Sequence, residues 1–357
     1  CGSTLTYAAL LTRVEALAGY LTQRLGVQRG DRVLLMSQNC PQYVAAYYGI
    51  MRAGAVVVPV NAMCTQSEIR YYLQDSGARV AMVAQELLPQ VMPLLKAGNP
   101  DALQAVLVHA YSEGLPAQPV SDEVPEVVLA PRQWPDAPGL LGLEDAIAQA
   151  LPAPAEHPHS DDLCVLPYTS GTTGHPKGCM HTHATVLASN MAAQVWRSMH
   201  MDSVFLAVAP LFHMLGMQNG MNMPLTLGAT IVMMPRWNAA QAVELVERHR
   251  VTVWTAPPAM AASAMPPSRI EPNPIPTNSA DSTTPSAERS MPHSLVIPGE
   301  AKALERTSKP SSAFRITIKA ITIHCLAPIP VLSIMAFGSF MTDSLPSDAI
   351  PIIREFA

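Results

Sequence analysis

The sequence has no excess of charge of either sign that would mark a surface for nucleic acid. Its 22 lysines and arginines and 27 aspartates and glutamates leave a formal net charge of −5, whereas chains that bind nucleic acid concentrate basic residues. The six cysteines lack paired spacing, which argues against a disulfide framework and favours a reducing compartment, the cytoplasm. No charged and then apolar leader follows Cys1, so no signal peptide is predicted.

Up to about residue 260, the chain alternates apolar strands with amphipathic helices. Strands are predicted at 32–36, 55–59, 79–83, 162–168, 204–209, 229–235 and 251–255. Helices are predicted at 6–26, 39–54, 67–76, 184–196 and 239–249. This alternation predicts doubly wound α/β layers built from right-handed βαβ units.

The most informative run is Tyr168-Thr-Ser-Gly-Thr-Thr-Gly-His-Pro-Lys-Gly178. Gly171, Gly174 and Gly178 permit positive φ angles and close approach of the backbone to a ligand. Lys177 adds a mobile positive charge, and backbone amides in such a loop form a concavity for anions. Hydroxyl donors come from Thr169, Ser170, Thr172 and Thr173. The run therefore predicts a phosphate-binding loop between a strand and a helix, with an ordinary surface turn as the alternative.

Two further groups of residues lie near this loop in the sequence. Cys179, His181 and His183 follow it, but their spacing does not match the usual paired zinc patterns, so we predict no metal there. Further on, a predicted strand ends at Pro210 and presents His213. The methionines after His213 suit either a soft acyl-binding surface or a plain helix core; they are Met214, Met217, Met221 and Met223.

The run 168–178 resembles the phosphate-binding signature of the adenylate-forming synthetases, which include acyl-CoA ligases, luciferases and peptide-synthetase adenylation domains. The resemblance continues at 30–33, 54–61, 210–213 and 254–258. It implies ATP-dependent activation of a carboxylic acid to an acyl-adenylate and then to acyl-CoA, with a fatty acid as the first choice and an aryl acid as the open alternative. The implied ligands are ATP, Mg²⁺, coenzyme A and the acid.

The resemblance also implies roles for individual residues. Lys177 and His213 become the catalytic residues, with His213 closing over the carboxylate or making way for the thiol. The implied nucleotide-binding residues are Thr169, Ser170, Gly171, Thr172, Thr173, Gly174 and Lys177.

The last third of the chain departs from this pattern. Residues 261–357 are rich in proline and serine, and they lack the family's magnesium-binding glutamate element, its ribose-binding Thr-Gly-Asp and its late lysine. We therefore expect a truncated N-terminal adenylation domain at 1–260, with a surface excursion at 112–160 containing a helix at 143–150. We expect the tail at 261–357 to be out of frame or unrelated.

The chain is either an acyl-CoA ligase, or a non-catalytic remnant or interaction protein that keeps part of the ligase fold. Within the tail, 320–341 is apolar and long enough to span a membrane. Pro328 and Pro330 lie inside that stretch and argue against a spanning helix.

Overall fold

The computed structural model describes residues 3–96, 98–99, 102–116, 124–169 and 174–264, and the backbone of 295–296. Its strands are β1 (Arg32–Met36), β2 (Val56–Pro59), β3 (Val80–Ala84), β4 (Ala105–His109), β5 (Leu140–Gly142), β6 (Leu163–Val165), β7 (Tyr168–Thr169), β8 (Lys177–Gly178), β9 (His181–Thr182), β10 (Val204–Ala207), β11 (Thr230–Met233), β12 (Val253–Trp254) and β13 (Leu295–Val296). Its α-helices are α1 (Tyr7–Gln23), α2 (Pro41–Arg52), α3 (Gln66–Ser76), α4 (Leu88–Val91), α5 (Glu126–Leu129), α6 (Leu143–Ala148), α7 (His183–Arg197), α8 (Met214–Gly216), α9 (Met223–Leu227), α10 (Ala239–His249) and α11 (Pro258–Ala264).

The main sheet has the strand order β5-β4-β3-β1-β2-β6-β9. All neighbouring pairs are parallel except β6 and β9, and Leu34 of β1 is aligned with Val58 of β2 and Ala81 of β3. Strands β2, β3 and β4 are buried along their whole length, which is typical of a parallel sheet covered on both faces. The α/β fold with parallel sheets that the sequence predicted is confirmed.

The first two helices begin where local chemistry favours a helix start. Thr6 caps α1 through its side chain, as predicted, and Pro41 occupies the first turn of α2, where a missing N–H costs nothing. The cap of α2 is Cys40, however, whose sulfur accepts from the amide of Tyr43 at 3.3 Å. Asn39, the predicted start, instead faces the second sheet.

Helix α3 has well-defined ends and a buried face. At its start, Thr65 and Glu68 form a reciprocal capping box, with Thr65 N donating to Glu68 Oε2 at 2.7 Å. At its end, Gly77 adopts a left-handed conformation with φ of 67°, which favours glycine. Ile69 and Leu73 are buried in the main core, so α3 is fixed against it.

Part of the 112–160 segment packs on the main sheet. Strand β5 extends the sheet beside β4, and α6 contacts α1, where Arg13 pairs with Glu144. The predicted helix at 143–150 is present as α6 and ends at Ala148. Neither β4 nor β5 was predicted from the sequence.

The second sheet has the order β11-β10-β12-β13. Strand β10 is parallel to β11 and β12, and α10 connects those two, so the βαβ unit predicted here is present. Asn238 caps α10 as predicted, accepting from the amide of Gln241 at 3.0 Å. The segment that follows β10 lies at the carboxyl edge of the main sheet, where Ala209 and Leu211 form hydrogen bonds with Asn39.

Within the described ranges, no helix is both long enough and apolar enough to cross a membrane. The apolar stretch at 320–341 lies outside them, as does the rest of the tail apart from the end of α11 and the two residues of β13.

Candidate nucleotide-binding site

A short antiparallel ribbon holds the two ends of the predicted phosphate loop together. Thr169 of β7 is aligned with Lys177 of β8, and Thr169 Oγ1 donates to the Lys177 carbonyl at 3.5 Å. Both side chains are exposed, at the end of the ribbon where the loop begins and ends. The predicted binding residues Ser170, Gly171, Thr172 and Thr173 lie outside the described residues. The structure therefore brings together the first and last members of the predicted set.

Backbone hydrogen bonds attach the ribbon to the main sheet. The amide of Leu166 donates to the Val57 carbonyl of β2 at 2.8 Å, and the amide of Cys179 donates to the Pro167 carbonyl at 2.9 Å. A Cβ atom on Gly178 would lie 3.1 Å from the Leu166 side chain, so a glycine lets the two strands approach closely here. The ribbon thus continues the carboxyl end of β6.

The helix that follows the ribbon does not offer free amides to a phosphate. Thr182 caps α7, accepting from the amide of Thr185 at 3.2 Å. The amides of His183 and Ala184 donate to backbone carbonyls at 3.1 and 2.8 Å. Because the first-turn donors of α7 are already used, phosphate contacts at this site have to come from the loop and its ribbon.

Lys177 is the positively charged residue of the ribbon. Its side chain is exposed, and within the part of the chain that the structure describes it forms no ion pair with a carboxylate. An unpaired ammonium beside a hydroxyl-rich loop is suited to a negatively charged ligand. The arrangement can therefore hold a phosphate group without first breaking an internal ion pair.

Helix α3 contacts both arms of the ribbon, a feature that sequence reasoning missed. The Tyr71 hydroxyl donates to the Pro176 carbonyl at 2.8 Å, and the Tyr168 hydroxyl donates to Asp75 Oδ2 at 2.6 Å. The spacing of Tyr71 and Asp75 on a predicted helix indicates that they share a face. It does not indicate what that face contacts.

The cysteine and histidine cluster after the loop is part of the fold. His183 is buried, and burial lowers its pKa although the nearby Asp162 carboxylate acts in the opposite direction. Burial raises the pKa of Asp162, but the ion pair with Arg29 at 2.5 Å and the hydrogen bond from the amide of His159 at 2.7 Å together lower it. Within the described ranges, no group of three or more histidine, cysteine, aspartate or glutamate residues is placed to hold a metal ion.

His213 lies after β10 of the second sheet. Its side chain is exposed, and Nδ1 accepts from the amide of Leu215 at 3.2 Å, so His213 caps the short helix α8. No described hydrogen bond or ion pair joins His213 to Thr169 or Lys177. The two predicted catalytic residues therefore lie on elements of different sheets.

The methionines after His213 are mainly core residues. Met217, Met221 and Met223 are almost completely buried, and the Tyr47 hydroxyl contacts the sulfur of Met217 at 3.5 Å. Of the two interpretations that the sequence left open, the structure favours the helix core for these three residues. Met214 is partly exposed.

Comparison with known proteins identifies the family. The family described as "AMP-binding enzyme" matches residues 1–304 of this chain. A long-chain-fatty-acid–CoA ligase of Bacillus subtilis is 29% identical over 271 residues, covering 72% of this chain and 46% of the ligase. A 4-coumarate–CoA ligase of Oryza sativa is 34% identical over 270 residues, covering 74% of this chain and 44% of that enzyme.

A solved structure supports the same relationship. The crystal structure of the anthranilate CoA ligase AuaEII in complex with anthranoyl-AMP superposes with a TM-score of 0.59 at 26% identity, covering 72% of this chain and 45% of that one. This chain therefore spans about half the length of the curated relatives it matches. From the family match over 1–304, the strand, ribbon and helix around Lys177 and the shared fold, we conclude that the chain belongs to the AMP-binding enzyme family.

Proposed function

We propose that this protein takes part in the ATP-dependent activation of a fatty acid to an acyl-adenylate and then to acyl-CoA. The observation that carries the proposal is the ribbon that aligns Thr169 with Lys177, which has no ion pair among the described residues, at the ends of a hydroxyl-rich loop. Membership of the AMP-binding family supports a nucleotide as the ligand. The acid class is a finer proposal, because the relatives include both a fatty-acid ligase and a coumarate ligase.

The proposed reaction has two steps. A carboxylate oxygen of the acid attacks the α-phosphorus of ATP, the bond to pyrophosphate breaks, and an acyl-adenylate forms. The thiol of coenzyme A then loses its proton to solvent and attacks the acyl carbonyl, the bond from the acyl carbon to the phosphate oxygen breaks, and AMP leaves. In the first step, Lys177 and Thr169 stabilise the charge on the phosphates and the leaving pyrophosphate. In the second step, the pyrophosphate has already left, so His213 is the residue proposed to act on the acyl and thiol side.

A second candidate function is nucleotide binding without turnover. It is favoured by the sequence after residue 260, which lacks the family's magnesium-binding glutamate, ribose-binding aspartate and late lysine. This second function predicts a chain that binds ATP without forming an acyl-adenylate. Loss of one comparable electrostatic contact costs about a hundredfold in rate.

Acid-dependent exchange between ATP and labelled pyrophosphate separates the two functions. Under the second function, the 357-residue chain should bind ATP but show no exchange with hexadecanoate, 4-coumarate or benzoate. A chimera joined after Pro258 to the remaining part of the Bacillus subtilis ligase should regain exchange, and Lys177→Ala should remove it again. Strong exchange by the chain alone would refute the non-catalytic assignment. A folded chimera whose exchange is indifferent to Lys177→Ala would refute the role of the loop.

A further inference from the structure

One turn of helix α3 contacts the residues at both ends of the phosphate loop. Tyr71 and Asp75 are four residues apart, so they lie one above the other on the same face of the helix. Tyr71 contacts the chain after the loop, and Asp75 contacts the chain before it. Two points separated along the sequence are therefore tied to one rigid element.

The contact after the loop has two components. The Tyr71 hydroxyl donates to the Pro176 carbonyl at 2.8 Å, one residue before Lys177. The Tyr71 ring also stacks on His175, with ring centroids 5.1 Å apart and planes inclined by 19°. The hydrogen bond and the stack act on adjacent residues, so they fix both the position and the direction of the approach to Lys177.

The contact before the loop is a hydrogen bond between side chains in an aromatic cluster. Tyr168 donates to Asp75 Oδ2 at 2.6 Å, and its ring lies 4.5 Å from that of Tyr72. Burial and the Asp75 carboxylate raise the pKa of Tyr168, and burial with nearby Cys64 raises the pKa of Tyr72 to about 12. Tyr168 therefore remains a protonated donor at neutral pH.

Helix α3 is a firm support for these contacts. Its first turn is closed by the reciprocal capping box of Thr65 and Glu68, and its opposite face is buried through Ile69 and Leu73. A group held on a packed element keeps its geometry better than one held only by a loop. Helix α3 therefore fixes the ends of the ribbon to the main core, in addition to the hydrogen bonds between the two strands.

We propose that Tyr71 and Asp75 are positioning residues that hold the two arms of the β7–β8 ribbon so that Thr169 and Lys177 meet the phosphates of one ATP molecule. This inference rests on the proposed nucleotide function and assigns two residues of α3 to the nucleotide site. Ordering both arms before the ligand arrives removes part of the entropy cost of binding. The alternative is that these contacts only stabilise the fold.

The test uses the full chain and three tyrosine-to-phenylalanine variants. Tyr71→Phe removes the bond to Pro176 but keeps the ring, and Tyr168→Phe removes the bond to Asp75. Tyr7→Phe is the matched control, since its hydroxyl also donates to a backbone carbonyl, that of Ala229 at 2.7 Å, on the second sheet. Tyr71→Leu removes the stack on His175 as well.

Two quantities are measured for each protein. Calorimetric titration gives the Kd for ATP, and mass spectrometry follows the rate at which trypsin cleaves the Lys177–Gly178 bond, which reports local opening of the ribbon. Tyr71→Phe and Tyr168→Phe should each accelerate cleavage and raise the Kd by about three- to tenfold, the range that one hydrogen bond contributes. Tyr71→Leu should exceed Tyr71→Phe, and Tyr7→Phe should change neither quantity.

The other outcomes overturn one proposal or the other. If Tyr7→Phe and Tyr71→Phe changed the Kd and the cleavage rate equally, the Tyr71 contact would contribute only to the general stability of the protein. Faster cleavage with an unchanged Kd would make it a fold contact without a positioning role. If the unmodified chain bound no ATP, the proposed nucleotide function would be wrong. An unchanged cleavage rate in Tyr71→Phe would instead show that Tyr71 does not stabilise the ribbon.

Discussion

Asn39 holds the backbone of Leu211 in place across the junction of the two sheets. The Asn39 side-chain oxygen accepts from the amide of Leu211 at 2.9 Å, and its nitrogen donates to the Ala209 carbonyl at 3.1 Å. Asn39 follows β1 at the carboxyl edge of the main sheet and is almost fully buried. A single amide thus fixes the turn that leads to His213.

Replacing Asn39 by alanine should destabilise the protein by about 2 to 3 kcal/mol, because it leaves a buried amide and carbonyl without partners. Urea unfolding measures this loss. The matched control is Asn61→Ala, which removes an exposed bond to the amide of Met63 and should cost less than about 1 kcal/mol. Equal losses in the two variants would show that Asn39 does not hold the junction.

The ion pair of Arg52 and Glu15 provides a second prediction. Arg52 has a side chain only 7% exposed and pairs with Glu15 at 2.7 Å. Glu15→Ala should cost about 2 kcal/mol, because a buried charge loses its partner. Glu244→Ala breaks the exposed pair with Arg248 and should cost less than about 1 kcal/mol. Urea unfolding measures the free energy of unfolding of both variants. Similar losses would show that the burial of Arg52 does not strengthen its ion pair.

A third prediction concerns the dependence of stability on pH. His109 ends β4 almost fully buried, and neither ring nitrogen has a hydrogen-bond partner in the described structure. Burial, with a smaller effect of Arg13, lowers its pKa to about 3. Because the folded pKa lies below the unfolded value of about 6.5, the unfolded chain takes up a proton first, and stability falls as pH decreases from about 6.5 towards 3.

Replacement of His109 by leucine should remove this part of the pH dependence. Between pH 6 and pH 5, the unmodified protein should lose about 1 kcal/mol more of its unfolding free energy than His109→Leu does. Urea unfolding at the two pH values measures the difference. An equal slope for the unmodified protein and His109→Leu would show that His109 does not titrate as stated.

Much of the fold could be predicted because its signals are local. The strand at 32–36 was predicted to the residue, and Thr6 and Asn238 were predicted as caps from their own side chains. Strands β4 and β5 were not predicted. Strand β5 spans only Leu140–Gly142 in a segment dominated by loop signals, and its pairing with β4 joins distant parts of the chain.

The candidate site was predicted in outline for the same reason. The loop composition indicated phosphate binding, but it could not indicate that Tyr71 and Asp75 hold the loop from α3, because partners far apart in sequence leave no periodic signal. Asn39 illustrates this point in another way. An asparagine two residues before a proline favours a helix start. The Asn39 side chain instead accepts from the amide of Leu211, so Cys40 caps the helix.

The central claim is that Lys177 and its loop bind the phosphates of ATP. Calorimetric titration of ATP into the full chain tests it most directly, with Lys177→Ala as the variant and the exposed Lys96→Ala as the control. Lys177→Ala should raise the Kd by about tenfold or more, as for a charge-assisted contact, while Lys96→Ala should leave it unchanged. Equal affinity of the unmodified chain and Lys177→Ala, or no binding by either, would contradict it.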